Sequence, residues 1–147
     1  MTLEPLPDEP APFALRGLRL LVVEDNEDAR RAFAALLEQY GARVRSASSV
    51  TQAIEALAGE RPDCVICDLV MPAQDGFDLI RWMQTVQPEQ QAAPVIALSA
   101  FADPHYRERT RSAGFAAHFE KPVDLPELFK VLRRLSGHPP GGPPQTP

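Results

Sequence analysis

No run of about 18 consecutive apolar residues occurs in the 147-residue sequence, so no membrane-spanning helix is expected. Basic charge is also short. Fifteen Lys and Arg face 20 Asp and Glu, for a net charge of −5, the wrong balance for a protein that binds nucleic acid by neutralising phosphates. The opening stretch, MTLEPLPDEPAP, is acidic and lacks the basic, apolar pattern of a secretory signal, and the chain is expected in the cytoplasm. Cysteine is limited to Cys64 and Cys67. Their C-x-x-C spacing invites a redox or zinc reading, but three features oppose it. An odd separation on a strand sends the two side chains to opposite faces. A redox pair belongs at a helix N-terminus. No second Cys or His pair is present to complete a zinc site. Both are therefore expected to be small buried hydrophobes. Also missing are a G-x-G-x-x-G after the first apolar run and any G-x-x-x-x-G-K-[ST], which excludes dinucleotide-binding and P-loop chemistry.

What is present is an ordinary globular composition, 44% hydrophobic and 24% charged, at a length suited to one domain. Proline maps the domain limits. Nine of the 16 prolines fall in residues 1–12 and 139–147, segments with little to bury. Residues 1–14 are expected to be a Pro-rich acidic disordered or linker segment, 15–135 the folded unit and 136–147 a disordered Pro/Gly-rich tail. Too few residues follow Leu135 for an output module, so none is expected in this chain.

Between those limits, strand and helix patterns alternate. Arg19 to Glu24 reads as a buried strand, followed by helical spacing of Ala29, Phe33, Leu36, Leu37 and Tyr40 that Gly41 stops. Arg43 to Ala47 alternates as an edge strand would, and Ser48 or Ser49 caps a helix with Val50, Ala53, Ile54 and Leu57. Asp63 to Cys67 is a third strand. Gly76 opens a helix that buries Phe77, Leu79, Ile80 and Met83. Pro94 to Leu98 is a fourth strand, Asp103 to Ser112 a helix with few apolar anchors, and Phe115 to Phe119 a fifth strand. Asp124 caps a last helix carrying Leu125, Leu128, Phe129, Leu132 and Leu135. Five strand–helix pairs with short connections predict an α/β fold, a doubly wound parallel sheet.

In such a sheet the C-terminal ends of all strands share one rim, where ligands bind. Glu24 and Asp25 follow the first strand, Asp68 the third, Ser99 the fourth and Lys121 the fifth. Any one of these has an everyday explanation as a helix cap or turn residue. Together they bring carboxylates that would repel one another, which suits Mg²⁺ with its preference for hard oxygen ligands. An ammonium and a hydroxyl beside them suit the equatorial oxygens of a phosphoryl group. Asp68 is then the nucleophile that becomes an aspartyl phosphate.

The set Glu24-Asp25, Asp68-Leu69-Val70-Met71-Pro72 with Asp75-Gly76, Leu98-Ser99-Ala100 and Lys121-Pro122 resembles the receiver domain of two-component response regulators. The wording around Ser99 and Lys121 is most similar to receivers of hybrid sensor histidine kinases. The resemblance spans nearly all of Leu18 to Leu135. It implies the flavodoxin-like strand order 2-1-3-4-5 and a phosphoryl-accepting role in a bacterial phosphorelay, with a sensor histidine kinase or phosphotransfer protein as donor. It also implies that Asp68 is the phosphoacceptor. Asp25, Asp68 and the Val70 backbone carbonyl would ligate Mg²⁺, with Glu24 acting through a metal-bound water. Lys121 and Ser99 would bind the phosphoryl group, Ser99 would move on activation, and the Lys121-Pro122 bond would be cis. Output would run through the fourth helix, fifth strand and fifth helix. A homodimer is left open, and neither nucleic acid nor membrane is an expected partner.

Three positions depart from the usual pattern. His118, three before Lys121, stands where an aromatic switch residue is common, and a structural and a switching role are equally open to it. Val70 and Phe101 flank the pocket where some relatives carry polar groups. Neither can orient an attacking water, so slow self-dephosphorylation is expected. Val70 also stands where an aspartyl-nucleophile phosphatase would need its general acid, which argues against that enzyme class. A phosphorylation-independent adaptor is the other alternative, and the retained charge cluster speaks against it.

Overall fold

The computed structural model describes residues 10–71, 74–86, 92–100 and 103–137. Ten elements alternate: β1 (Arg19–Val23), α1 (Glu27–Gln39), β2 (Arg43–Ala47), α2 (Val50–Gly59), β3 (Cys64–Asp68), α3 (Gly76–Val86), β4 (Val95–Ser99), α4 (Pro104–Ala113), β5 (Ala117–Glu120) and α5 (Leu125–Leu135). All strand pairs are parallel, in the order β2-β1-β3-β4-β5. This is the doubly wound parallel sheet that the alternation predicts, in the flavodoxin-like order that the resemblance implies.

β1 after Arg19, and β3 and β4 up to their terminal Asp68 and Ser99, are apolar because both faces of the sheet are covered there, whereas edge strand β2 exposes Arg43, Arg45 and Ser46. Leu21, Val23, Val65, Cys67, Val95 and Ala97 face α2 and α3 with Val50, Ala53, Leu79 and Met83. Leu20, Val22, Cys64, Ile66, Ile96 and Leu98 face the opposite layer, with Leu37 of α1 and Leu128, Phe129 and Leu132 of α5. Cys64 and Cys67 thus lie on opposite faces, both buried and both free. Burial pushes the Cys64 thiol up to about 12 and raises Cys67 as well. In the folded protein at pH 8 neither thiol is expected to react with a disulfide reagent, and both should react after denaturation. A thiol titrating in the native state would contradict this packing.

Helix starts follow local chemistry. Asn26, Ser49, Asp103 and Asp124 accept from backbone N–H groups of the first turns of α1, α2, α4 and α5. α4 is the outlier: Thr110 is its one buried residue, with Tyr106 and Ala113 half-buried, while Arg107, Arg109 and Arg111 are exposed. It ends at Gly114 with φ +106, where a side chain would run into the Gln84 amide that donates to the Ala113 carbonyl at 2.9 Å.

Ahead of β1, residues 11–17 form successive turns, and Leu15 and Leu18 are fully buried. Arg133 of α5 holds this lead-in, donating to the Ala14 carbonyl at 2.6 Å and the Arg16 carbonyl at 2.9 Å. Segments 1–9 and 138–147, where most of the expected tails fall, lie outside the described residues, as do Pro72 and Phe101. Among the described residues no helix is long and apolar enough to cross a membrane.

Candidate functional site

Four of the five strands, β1, β3, β4 and β5, deliver one or two groups each to the C-terminal rim. β3 runs one residue further than its sequence pattern suggests, because Asp68 still pairs with Leu98 in the ladder. Its carboxylate therefore rests on regular strand backbone and is only 8% exposed. The same holds on β4, where Ser99, completely buried, pairs with Glu120. Glu24 lies just past β1, but its N–H still donates to the Ala47 carbonyl at 3.0 Å, which carries the strand's direction one residue on. Lys121 follows β5, and its N–H donates to the Ser99 carbonyl at 2.8 Å. The Lys121-Pro122 peptide bond is cis.

These backbones bring the side chains together. Lys121 Nζ donates to Asp68 Oδ2 at 2.7 Å and to Glu24 Oε1 at 3.2 Å. The other Asp68 oxygen, Oδ1, accepts from the Val70 N–H at 3.0 Å. Glu24 Oε2 accepts from the Asn26 N–H at 3.3 Å. Oxygens of Glu24, Asp25 and Asp68 lie within 4.8 Å of one another, with Asp25 exposed and the other two buried. Like charges about 4 Å apart repel by roughly 4 kcal/mol in the effective dielectric of a protein surface, so one lysine does not balance three acids.

Titration reflects this crowding. Burial, a hydrogen bond with Asp25 and the Asp68 charge push the Glu24 carboxyl above its ordinary 4.5. Native Glu24 holds its proton longer than the unfolded chain does, so ionising it costs stability as pH rises through that window. Burial alone would lower Lys121, but its hydrogen bond to Asp68 and the charges of Asp68 and Glu24 outweigh burial and hold it above 10.5. The Lys121 contribution is therefore complete at neutral pH and is lost only as pH climbs through the raised value.

The loop after Asp68 is shaped by Gly76. A Cβ there would sit 3.0 Å from Leu69 Cδ2, 3.2 Å from the Asp68 carbonyl oxygen and 3.3 Å from Cys67 Sγ. Because one of these neighbours is strand backbone that cannot give way cheaply, the start of α3 approaches the site only with glycine there. Asp75 and Asp78 fix the same turn reciprocally, each accepting from the other's N–H at 3.1 and 2.8 Å.

Val70 projects into solvent at 55% exposure, and its N–H donates to the Asp68 carboxylate. His118 lies away from the carboxylates: its Nδ1 is 3.2 Å from Thr110 Oγ1 and its ring 5.9 Å from that of Tyr106. Thr110 Oγ1 also donates to the Arg107 carbonyl at 2.8 Å, so β5 and α4 are joined through a buried hydroxyl. Two contributors escape sequence inspection. Thr110 reads as one more polar residue on a polar helix. Arg30 reads as a solvated helix charge, yet its guanidinium donates to the Glu24 carbonyl at 3.0 Å.

Beside the site, a groove of about 440 Å³ runs from Asp68 and Lys121 along Ala32 and Phe33 of α1, with Pro122 and Leu125 opposite. The donor set itself, three carboxylates, suits a small hard cation such as Mg²⁺.

Comparison with known proteins agrees with this geometry. A family model described as the response regulator receiver domain matches residues 20–133. The sensory/regulatory protein RpfC of Xanthomonas campestris pv. campestris is 33% identical over 123 residues, which cover 83% of this chain but only 17% of that longer protein. The polar-differentiation response regulator DivK of Brucella anthropi is 29% identical over 118 residues, covering 80% of this chain and 95% of that one. Among solved structures, the signal receiver domain of a signal transduction histidine kinase from Syntrophus aciditrophicus is 30% identical. It aligns over 89% of this chain and 98% of that one, with a TM-score of 0.71.

Proposed function

The chain belongs to the response regulator receiver family, and from that membership we propose that it accepts a phosphoryl group on Asp68 from a phosphohistidine of a sensor kinase or phosphotransfer protein. The observation that carries the reading is the Asp68 carboxylate itself. It is buried at a strand end, gripped by Lys121 at 2.7 Å, and crowded by the oxygens of Glu24 and Asp25.

In the transfer, an Asp68 oxygen attacks phosphorus, the phosphorus–nitrogen bond breaks, and its electron pair returns to the donor imidazole. The Val70 N–H and Lys121 fix the plane of the carboxylate beforehand. Lys121 then passes from the free carboxylate to an oxygen of the transferred group. Asp25, Asp68 and the Val70 carbonyl would hold Mg²⁺, with Glu24 reaching it through water, and the ion would neutralise charge developing on the phosphoryl oxygens. The groove along α1 gives the donor an apolar approach to Asp68. The unit responsible is residues 15–135, acting in the cytoplasm.

The switch uses the weakly held helix. A phosphoryl group on Asp68 favours an inward Ser99 hydroxyl, which rearranges the connection into α4 and the surface of α4, β5 and α5. The Thr110–His118 contact is where β5 would register that change. Val70 cannot act as a general acid or orient water, so the chain turns over its own phosphate slowly and is a signalling acceptor rather than a catalyst.

Acetyl phosphate with Mg²⁺ should add the mass of one phosphoryl group to the intact protein, released by hydroxylamine as an acyl phosphate requires. Decay of that adduct should quicken in Val70→Asn and Phe101→Glu. An unlabelled wild type overturns the acceptor reading, and an unchanged half-life in both variants overturns the part given to Val70 and Phe101 in slow self-dephosphorylation.

A further inference from the structure

Between the end of β1 at Val23 and the start of α1 at Glu27 lie Glu24, Asp25 and Asn26; the Asn26 carbonyl accepts the first helical bond, which leaves the carbonyls of Glu24 and Asp25. Carbonyls in that position need a partner from a side chain or from water. Arg30 supplies one. Its Nη1 donates to the Glu24 carbonyl at 3.0 Å and, over a longer 3.5 Å, to that of Asp25. The base of its side chain is fixed too, since the Arg30 N–H donates to the Asn26 carbonyl at 2.9 Å and Asn26 caps α1 through the Ala29 N–H at 2.9 Å.

A cation this close to a helix N-terminus opposes the helix dipole, so the position is an unfavourable one for arginine on helix grounds alone. Nor does it serve as a surface ion pair. The neighbouring Arg31 takes the acid of that turn, pairing with Glu27 at 2.7 Å, while Arg30 folds back, half-buried, onto the loop. The Glu24 carboxylate has side-chain anchors in Lys121 and the Asn26 N–H. The exposed Asp25 carboxylate meets that of Glu24 next to it, so where the pair sits depends on the backbone that carries both.

We propose that Arg30 is a positioning residue for the metal site, fastening the Glu24-Asp25 backbone so that both acids already face Asp68 before the cation arrives. This rests on the reading of that rim as a Mg²⁺ site. Two effects compete. The guanidinium charge repels a nearby cation, but at a partly exposed position salt screens that repulsion. Loop fixation works the other way, since three acids held together in advance need no reorganisation on binding. The proposal is that fixation wins.

The test is titration with MgCl₂ alone, followed by calorimetry and by the Val70 amide resonance, on wild type, Arg30→Ala and Arg30→Lys. Arg30→Ala should bind Mg²⁺ about tenfold more weakly, a loss of roughly 1.4 kcal/mol. Arg30→Lys keeps the charge but not the forked donor, and should lose about threefold. Labelling by acetyl phosphate at saturating Mg²⁺ should stay within about twofold of wild type, because Asp68 and Lys121 are untouched. A general loss of structure would lower that rate as well, which separates positioning from folding. If Arg30→Ala does not fold, the Arg30→Lys titration decides alone. Affinity equal to or tighter than wild type in the variants overturns the inference. A wild type that takes up no Mg²⁺ overturns the metal reading on which it rests.

Discussion

Asp68→Asn is expected to fold normally and to accept no phosphoryl group from acetyl phosphate at any Mg²⁺ concentration. An amide oxygen is a poor nucleophile, and no acyl phosphate can form on it, so the effect is complete loss rather than a slower rate. The fold should tolerate the change because the competing terms are of opposite sign. The Asn oxygen can still accept from the Val70 N–H, and Lys121 keeps Glu24 at 3.2 Å. Losing the 2.7 Å contact with Lys121 is unfavourable, whereas removing one of three crowded carboxylates is favourable. A thermal melt without Mg²⁺ should therefore stay near wild type, while the stabilisation that Mg²⁺ adds should shrink with one ligand charge gone. Intact mass reads the first result and melting with and without Mg²⁺ the second. An undiminished adduct on Asp68→Asn would place the acceptor elsewhere.

Leu79→Ala should produce the largest loss of stability, about 2–5 kcal/mol, out of the roughly 5–15 kcal/mol that holds a domain of this size together. Leu79 is completely buried on α3, in the cluster with Val65 and Cys67 of β3 and Met83 of its own helix. Regular strands and a full helix surround it, so the vacated space cannot collapse cheaply. Urea denaturation should show a lower midpoint with an unchanged slope. Val86→Ala on the same helix, at 57% exposure, should shift stability by no more than about 0.5 kcal/mol and serves as the control. A Leu79→Ala loss below about 1 kcal/mol would mean that α3 is not packed as described.

The site and the fold were legible to different depths. The parallel sheet and its shared rim followed from apolar runs ending in polar groups, because a sheet buried on both faces leaves chemistry only at strand ends, while the strand order came only with the receiver-domain resemblance. The cysteines could be placed on opposite faces from period alone. Strand limits were less clear, and for stated reasons. Pro94 has no N–H for the ladder, yet its carbonyl accepts from Val65 at 2.9 Å, so β4 starts one residue late and ends on Ser99. Asp63 sits just before β3: its N–H donates to the Arg19 carbonyl at 2.7 Å, but its carboxylate, rather than a backbone carbonyl, takes the Arg19 N–H at 2.8 Å. Phe115 looks like strand but turns into the α3 layer, its ring 5.5 Å from that of Phe77, and β5 begins only at Ala117. Arg30 and Thr110 were missed for a common reason. Their partners are backbone carbonyls and a ring nitrogen from other elements, and hydropathy periodicity carries no trace of such contacts. The faint signal for Arg30 was its position, a cation within the first turn of a helix where acids are favoured.

The hold of Arg133 on Ala14 and Arg16 has a meaning beyond local packing. It brings the point where the polypeptide enters the fold beside the helix by which it leaves, at the end of the sheet away from Asp68. A unit with entry and exit side by side behaves as a cassette. It can be spliced between unrelated segments of a longer polypeptide with both seams on one side and the reactive rim undisturbed. Pulled from its two ends, it would meet the load first at the Arg133 clasp, leaving the strands that carry the carboxylates out of the line of force.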